Sequence, residues 1–294
     1  MSTLTVPAPA KINLFLAITG RRPDGFHDLV SVVAPLLWGD SVEVEQGGES
    51  FTLECDRDEV PTDASNTVLR AAAEFARVTG YSGGAHFRIR KRIPSGAGLG
   101  GASSDAVSAL RALNSLAGEP LDEAGLARVA AVVGSDCPLF LTSVPVVMRG
   151  RGEKISILPK EAYGRFRGMR ALLFKPGFAI ATPWAYGRMA AEAPRSYMPA
   201  EAAEAMLARW IERPGAAIDG LLYNAMERPA FLKFAAIPAL LAQLQSRYGI
   251  SPRMSGSGSA CFALLAEDAE IAPVEATIRE AWGPSAFVVE TRIA

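Results

Sequence analysis

Along the first stretch of the chain, apolar side chains fall on every second position. Between Ala10 and Ile18, Ile12, Leu14 and Leu16 share one face of a strand, and Lys11 and Asn13 share the other. A lysine beside an asparagine in so apolar a strand has two readings: an edge strand with its polar side in water, or a polar face reserved for a site. Further strands are predicted at Leu4–Val6 and across residues 29–56, where Val30–Val33 and Asp40–Val44 alternate and Gly47-Gly48 turns the chain. Asn66 as N-cap, an apolar stripe of Val68, Leu69, Ala72 and Phe75, and Gly80 as terminator predict a helix. In 86–93, Phe87, Ile89 and Ile93 oppose His86, Arg88, Arg90 and Arg92, the pattern of a half-exposed antiparallel strand. Helices are predicted from Ser104 to about Leu116 and from Leu121 to Val133, the second capped by Asp122 and ended by Gly134. A strand at Val144–Met148 runs into the basic turn Arg149–Gly152.

The charged, irregular stretch from Pro159 to Gly168 places a domain boundary near residue 160, dividing the chain into 1–160 and 161–294. The second half opens with the strand Ala171–Phe174. Thr182 is expected to cap a helix with Pro183 in its first position. Helical spacing continues near 200–212, 215–226 and 237–248. A Gly/Ser loop then leads into the apolar strand ending at Leu265, followed by a helix near 271–281 and a strand at 286–291. There is no tandem repeat and no low-complexity segment.

The stretch Pro94-Ser95-Gly96-Ala97-Gly98-Leu99-Gly100-Gly101-Ala102-Ser103-Ser104 carries the strongest chemical signal. Residues without a Cβ allow positive φ and close approach of the backbone to a ligand. Consecutive amide N–H groups and the start of a helix suit an anion such as phosphate. A plain glycine turn remains the alternative on the loop alone. Gly96, Gly98 and Gly101 satisfy the spacing of a dinucleotide fingerprint, but the preceding strand alternates instead of reading as a buried apolar run. A Walker loop is excluded because Ala102 stands where lysine is needed, and the protein-kinase triplets are absent.

Composition narrows the function classes. The 294 residues suffice for two ordinary domains, and 49% are apolar, as in a globular chain. A net charge of −1 argues against a general nucleic-acid or membrane-surface binder. Three scattered cysteines and two histidines make neither a disulfide framework nor a zinc site, so a reducing, cytoplasmic setting is expected. No membrane span and no signal peptide are expected either.

Two more stretches carry candidate chemistry. Pro23-Asp24-Gly25 is a turn that delivers Phe26 and His27, an aromatic and an imidazole that together can stack on and hydrogen-bond a heterocyclic base; a solvated surface histidine is the plainer reading. Asp136, in Gly134-Ser-Asp-Cys-Pro-Leu-Phe140, follows a helix end, where the dipole disfavours a negative charge. Cys137, preceding proline, is expected to be extended. Asp136 is then either an Asx turn or a carboxylate held for use. Arg149 and Arg151 are either phosphate contacts or solvated.

PAPAKINLFL at 7–16, RPDGFHDL at 22–29, PSGAGLGGASSDA at 94–106, GSDCPLF at 134–140, RGRGE at 149–153 and MSGSGSACF at 254–262 together resemble the GHMP small-molecule kinases over essentially the whole chain. The resemblance implies an α+β, two-domain GHMP kinase fold: an N-terminal domain like domain 2 of ribosomal protein S5 and a ferredoxin-like C-terminal domain. It implies ATP and Mg²⁺, and, through KINLFL and DGFH, phosphorylation of a hydroxyl on a cytidyl-diphosphate sugar alcohol in the non-mevalonate isoprenoid route. By the same resemblance Lys11 and Asp136 match the catalytic pair and Asn13 a substrate-side amide. His27 matches the reader of cytosine, Phe26 its stacking ring, Trp184 a second ring, and Pro94 to Ser104 the ATP loop. Phe26 stands where tyrosine is frequent and Cys137 where valine is frequent. A sibling kinase acting on homoserine or a mevalonate derivative would have no use for Phe26 and His27. A nucleotide-binding regulator would have none for Lys11 and Asp136.

Overall fold

The computed structural model describes residues 2–294. Its strands are β1 (Thr3–Arg21), β2 (His27–Gln46), β3 (Phe51–Cys55), β4 (Ala85–Arg90), β5 (Val146–Gly150), β6 (Lys154–Ile157), β7 (Arg170–Lys175), β8 (Tyr223–Asn224), β9 (Arg253–Met254), β10 (Cys261–Leu265) and β11 (Phe287–Arg292). Its helices are α1 (Thr67–Thr79), α2 (Gly101–Leu116), α3 (Glu123–Val133), α4 (Lys160–Tyr163), α5 (Thr182–Ala191), α6 (Ala200–Ile211), α7 (Glu227–Lys233), α8 (Ala236–Tyr248) and α9 (Ile271–Trp282). No helix among the described residues is long and apolar enough to cross a membrane. One sheet follows the order β3-β4-β2-β1-β8, with β5 on β2 and β6 on β5; the other follows β11-β7-β10-β9.

By packing, the chain forms two compact units, neither continuous in sequence. One contains the stretch up to Ala10, Trp38–Pro94 and Gly100–Ser143; the other contains Lys11–Leu37, Ser95–Leu99 and Val144–Ala294. The single cut expected near residue 160 follows chain order, whereas these units follow contacts. β1 and β2 each pass through both, because each is one strand of about twenty residues where alternation marked two short ones.

In the first unit, α1, α2 and α3 pack on one another. The Asn66 carboxamide oxygen accepts the Val68 N–H at 2.8 Å and Gly80 closes α1 in the left-handed region. β4 lies antiparallel to residues 41–46 of β2 and parallel to β3, so the expected antiparallel pairing holds on one of its two edges. A buried ionic cluster ties the ends of the glycine stretch to this unit. The Lys91 ammonium bridges the carboxylates of Asp40 and Asp105, the latter at 2.7 Å. Asp40 also accepts the backbone N–H groups of Arg92 and Ile93, and Asp56 that of Lys91. The segment entering the loop and the first turns of α2 after it are thus held by one cluster. Burial pushes the Asp105 carboxyl up to about 7, with Lys91 opposing the shift and Asp40 adding to it.

In the second unit, β5 pairs antiparallel with Leu29–Val33 of β2 and β8 pairs parallel with β1. The all-antiparallel order β11-β7-β10-β9, numbered within this sheet, is 4-1-3-2. That is the order of a ferredoxin-like sheet, as expected. Trp282 of α9 packs on Phe174 of β7. The helix expected over 215–226 is absent: a 3-10 turn at Ile218–Gly220 leads into β8. Pro214, Gly215 and Gly220 interrupt helical continuity, and the Asn224 side chain is spent on backbone groups of its own and other loops. Thr182 is the first residue of α5, not its cap; Ala181 holds that position and Pro183 lies in the first turn. The 159–168 stretch includes the short α4.

Removing Lys91 strands two carboxylates in the protein interior. Lys91→Met is expected to destabilise the fold by roughly 3–5 kcal/mol, read from the denaturant midpoint, and Lys91→Met with Asp105→Asn to recover part of that. A midpoint unchanged in Lys91→Met would show that the cluster is structurally idle.

Candidate active site

The glycine stretch is folded by its neighbours as much as by its own sequence. Gly96, Gly98 and Gly100 take φ of 60°, 75° and 77°. At Gly98 the requirement is double, because a Cβ there would run into the Ser255 carbonyl oxygen. Three consecutive carbonyls of the loop are turned onto protein donors. Ala97 O accepts the Ala260 N–H at 3.0 Å, Gly98 O accepts Lys11 Nζ at 2.6 Å and Ser255 Oγ at 3.1 Å, and Leu99 O accepts the Lys11 N–H at 3.0 Å. Ala97 and Leu99 are buried, while Ser95 and Gly96 are exposed.

Lys11 and Asn13 therefore do not form the wet side of an edge strand. Both are 7% exposed. Lys11 Nζ donates to Asn13 Oδ1 at 2.6 Å, and Asn13 Nδ2 donates to Ser31 Oγ, which donates to Phe15 O. A Cβ on Gly256 would lie 3.4 Å from Lys11 Nζ and 3.3 Å from Asn13 Oδ1, so the second Gly/Ser loop packs directly on this pair. Asn224 holds that loop by donating to Met254 O and Gly256 O at 2.7 and 2.9 Å. Asn224 carried no signal in the sequence, because its position read as helix interior. Its role depends on β8 pairing with β1.

The first unit holds the other half of the predicted set. α2 begins at Gly101, with Gly100 in the cap position, three residues earlier than the spacing from Ser104 implied. Gly101, Ala102 and Ser103 thus lie in its first turn, where amide N–H groups lack intrahelical acceptors. The Ser103 hydroxyl donates to Asp136 Oδ1 at 2.8 Å. Asp136 is half-buried and opens a 3-10 turn at Cys137–Leu141, so Cys137 is helical and not extended as its proline neighbour suggested. The carboxylate consequently sits at the start of a short helical turn as well as beyond the end of α3. Burial pushes the Cys137 thiol up to about 12, with Asp136 adding to the shift. The Ser104 hydroxyl is buried without a hydrogen-bond partner.

His27 is not a surface histidine: it is 7% exposed. Its Nε2 lies 3.1 Å from the Tyr197 hydroxyl, and its ring is 4.9 Å from that of Tyr186 and 5.8 Å from that of Tyr197. Burial, and then the positive charge of Arg21, hold its pKa below the ordinary value, so the imidazole is neutral at neutral pH. Phe26 precedes it, half-exposed, with the Arg151 guanidinium 4.9 Å from its ring centre. Trp184 packs edge-on to Phe234 at 5.6 Å and under Lys233 at 4.4 Å. The rings against His27 are instead Tyr186 and Tyr197, which α5 and the loop after it supply. Tyr186 lies two residues from Trp184, beyond what a loose motif match could separate. Arg149 is engaged by Glu204 through two bonds of 2.6 and 2.9 Å.

With only two histidines in the chain, the depressed pKa is directly observable. By NMR, His27 is expected to titrate below the ordinary value of about 6.5. Arg21→Gln removes a positive neighbour and should move the midpoint upward. A midpoint at or above about 6.5 in the wild type would contradict the buried, neutral imidazole.

Comparison with known proteins identifies the family. The GHMP kinases N terminal domain matches residues 66–143 and the GHMP kinases C terminal domain matches residues 202–283. A 4-diphosphocytidyl-2-C-methyl-D-erythritol kinase of Methylacidiphilum infernorum is 36% identical over 266 residues, covering 89% of this chain and 86% of the relative. One of Xanthomonas axonopodis pv. citri is 39% identical over 260 residues, covering 87% and 80%. A crystal structure of 4-(cytidine 5'-diphospho)-2C-methyl-D-erythritol kinase superposes with a TM-score of 0.77 at 32% identity, covering 99% of this chain and 100% of that one. A homoserine kinase from Cytophaga hutchinsonii reaches the same TM-score at 16% identity, over 100% of this chain and 95% of that one, a likeness of fold alone. The chain belongs to the GHMP kinases and, within them, to the 4-diphosphocytidyl-2-C-methyl-D-erythritol kinase family.

Proposed function

We propose that the protein transfers the γ-phosphoryl group of ATP to the 2-hydroxyl of 4-diphosphocytidyl-2-C-methyl-D-erythritol, in the non-mevalonate route to isoprenoid precursors. The observation that carries the reading is the buried, neutral His27 flanked by Tyr186 and Tyr197 beside half-exposed Phe26. With Nε2 engaged by the Tyr197 hydroxyl, the neutral imidazole keeps its other ring nitrogen for the edge of a cytosine, and aromatic faces suit the plane of the base. A homoserine-type acceptor needs neither. We assign the second ring to Tyr186 in place of Trp184.

Phosphoryl transfer asks for positioning and charge stabilisation more than covalent chemistry. In this reading Pro94 to Ser104 cradle the triphosphate. With the carbonyls of residues 97–99 drawn onto protein donors, the loop turns its amide edge to the anion, and the first turn of α2 adds unpaired N–H groups. Lys11, fixed by Asn13 and Gly98, places a positive charge for the transferring phosphoryl group. Asp136, oriented by Ser103, accepts the proton of the acceptor hydroxyl. A carboxylate is a weaker base than an alkoxide, so it orients the hydroxyl first and takes the proton as the new O–P bond forms. Mg²⁺ would neutralise charge between the terminal phosphates. The Ser104 hydroxyl, buried and unpartnered in α2, fits a hard cation of this kind, which keeps few protein ligands and shares phosphate oxygens.

ADP release with the cytidyl substrate, and none with homoserine, is the expected outcome; the reverse preference would overturn the assignment. Asp136→Asn should lower kcat by roughly 10²–10⁴ with little change in KM for ATP. Activity within a few-fold of wild type would remove Asp136 from the role. His27→Ala should raise KM for the cytidyl substrate and leave KM for ATP unchanged, and equal loss of both would contradict base reading.

A further inference from the structure

The RGRGE motif at 149–153 is left without a task by the reading above, yet it forms one of the most constrained turns in the chain. Gly150 and Gly152 take φ of 66° and 116°. The Arg151 N–H donates to a Glu153 carboxylate oxygen at 2.7 Å, and the Gly152 N–H donates to Arg149 O at 3.1 Å. A Cβ on Gly150 would fall within 2.6 Å of Glu153 Oε1. The flank is fixed too, since the Arg149 guanidinium is gripped by Glu204 and donates to Ser156 Oγ at 3.2 Å. This turn joins β5 to β6, and the register Leu29↔Gly150 sets it beside the residues that lead into β2. Those residues are Phe26 and His27. The result is that the Arg151 guanidinium lies over the Phe26 ring, 4.9 Å from its centre.

We propose that Arg151 is a positioning residue for base recognition: delivered by the rigid 149–153 turn, it covers one face of Phe26 and holds the ring so that the other face receives the cytosine. The inference rests on the cytidyl reading of Phe26 and His27 and deepens it. Phe26 is 49% exposed although the guanidinium covers one side, so ring surface remains for a planar ligand. The ring stands at a loop tip, where the Phe26 N–H donates to Asp24 Oδ1 at 3.1 Å and the Phe26 carbonyl accepts the Arg22 N–H at 2.8 Å, neither of which fixes the side chain. Ordering such a ring before the ligand arrives removes part of the entropic cost of stacking. Here the ordering is a cation–π contact with a half-buried arginine, whose charge also reaches the Asp24 carboxylate. Positive φ at Gly150 and Gly152, on either side of Arg151, and the Glu153 carboxylate that accepts the Arg151 N–H together fix the backbone path that carries Arg151.

Calorimetric titration of the full-length protein with cytidine, and separately with cytidine diphosphate, tests this. Arg151→Met keeps a long apolar stem and removes the charge. It is expected to weaken both ligands by the same factor, about 2–5-fold, the range of a partly exposed cation–π contact. KM for ATP should stay at the wild-type value. In a Phe26→Leu background the same substitution should add nothing. Arg151→Lys, which keeps the charge, should stay within about 2-fold of wild type; a loss equal to that of Arg151→Met would show that a positive charge over the ring is not what matters and overturn the inference. Weakening of the diphosphate alone, with cytidine unaffected, would make Arg151 a phosphate contact and overturn it as well, as would an undiminished effect in Phe26→Leu or no change in either ligand. If wild-type protein bound neither cytidine nor its diphosphate, the cytidyl reading itself would fall; wild-type binding with an indifferent Arg151→Met sinks only the role given to Arg151.

Discussion

The carbonyl oxygen of Gly98 is the point on which the glycine loop depends. It receives the Lys11 ammonium and the Ser255 hydroxyl together, and the space beside its Cα is filled by the Ser255 backbone. No side chain larger than hydrogen fits there. With Ala97 O and Leu99 O also bonded to protein donors, the loop is anchored along one edge. That anchoring links three segments far apart in the chain: β1, the loop itself, and the Gly/Ser stretch between β9 and β10. Each is a short motif of modest information alone.

Charge is handled differently in the two units. In the first, Lys91 is matched by Asp40 and Asp105 in the interior, so its positive charge is spent on structure and holds the stems of the loop. In the second, the Lys11 ammonium donates to a carboxamide oxygen and to a backbone carbonyl, which tie it to β1 and to the glycine loop.

The aromatic cluster around His27 combines parts with no local relation. His27 and Phe26 come from the start of β2, Tyr186 from α5, Tyr197 from the loop beyond it, and Arg151 from the β5–β6 turn. The imidazole is kept neutral by burial and by a neighbouring arginine. A neutral imidazole is suited to hydrogen bonding and stacking.

Local order was legible in the residues themselves. Period-two alternation marks β4, apolar runs mark β7 and β10, and the Asn66 and Gly80 caps bound α1, because these depend on interactions within a few positions of the chain. The glycine loop and the pairing of Phe26 with His27 were legible for the same reason. What the sequence left open was decided by long-range contact. Whether Lys11 and Asn13 faced water or a site turned on Gly256, more than 240 positions away. Asn224 read as helix interior because its apolar neighbours have helical spacing; pairing with β1 and three backbone bonds outweighed that spacing. Asp136 was caught between two readings until the first turn of α2, starting three residues early, brought the Ser103 hydroxyl to it. Alternation and capping act over one turn or one strand, and a sequence records them directly. Which face is buried, and which ring lies against an imidazole, are set by surfaces that exist only once the chain has folded.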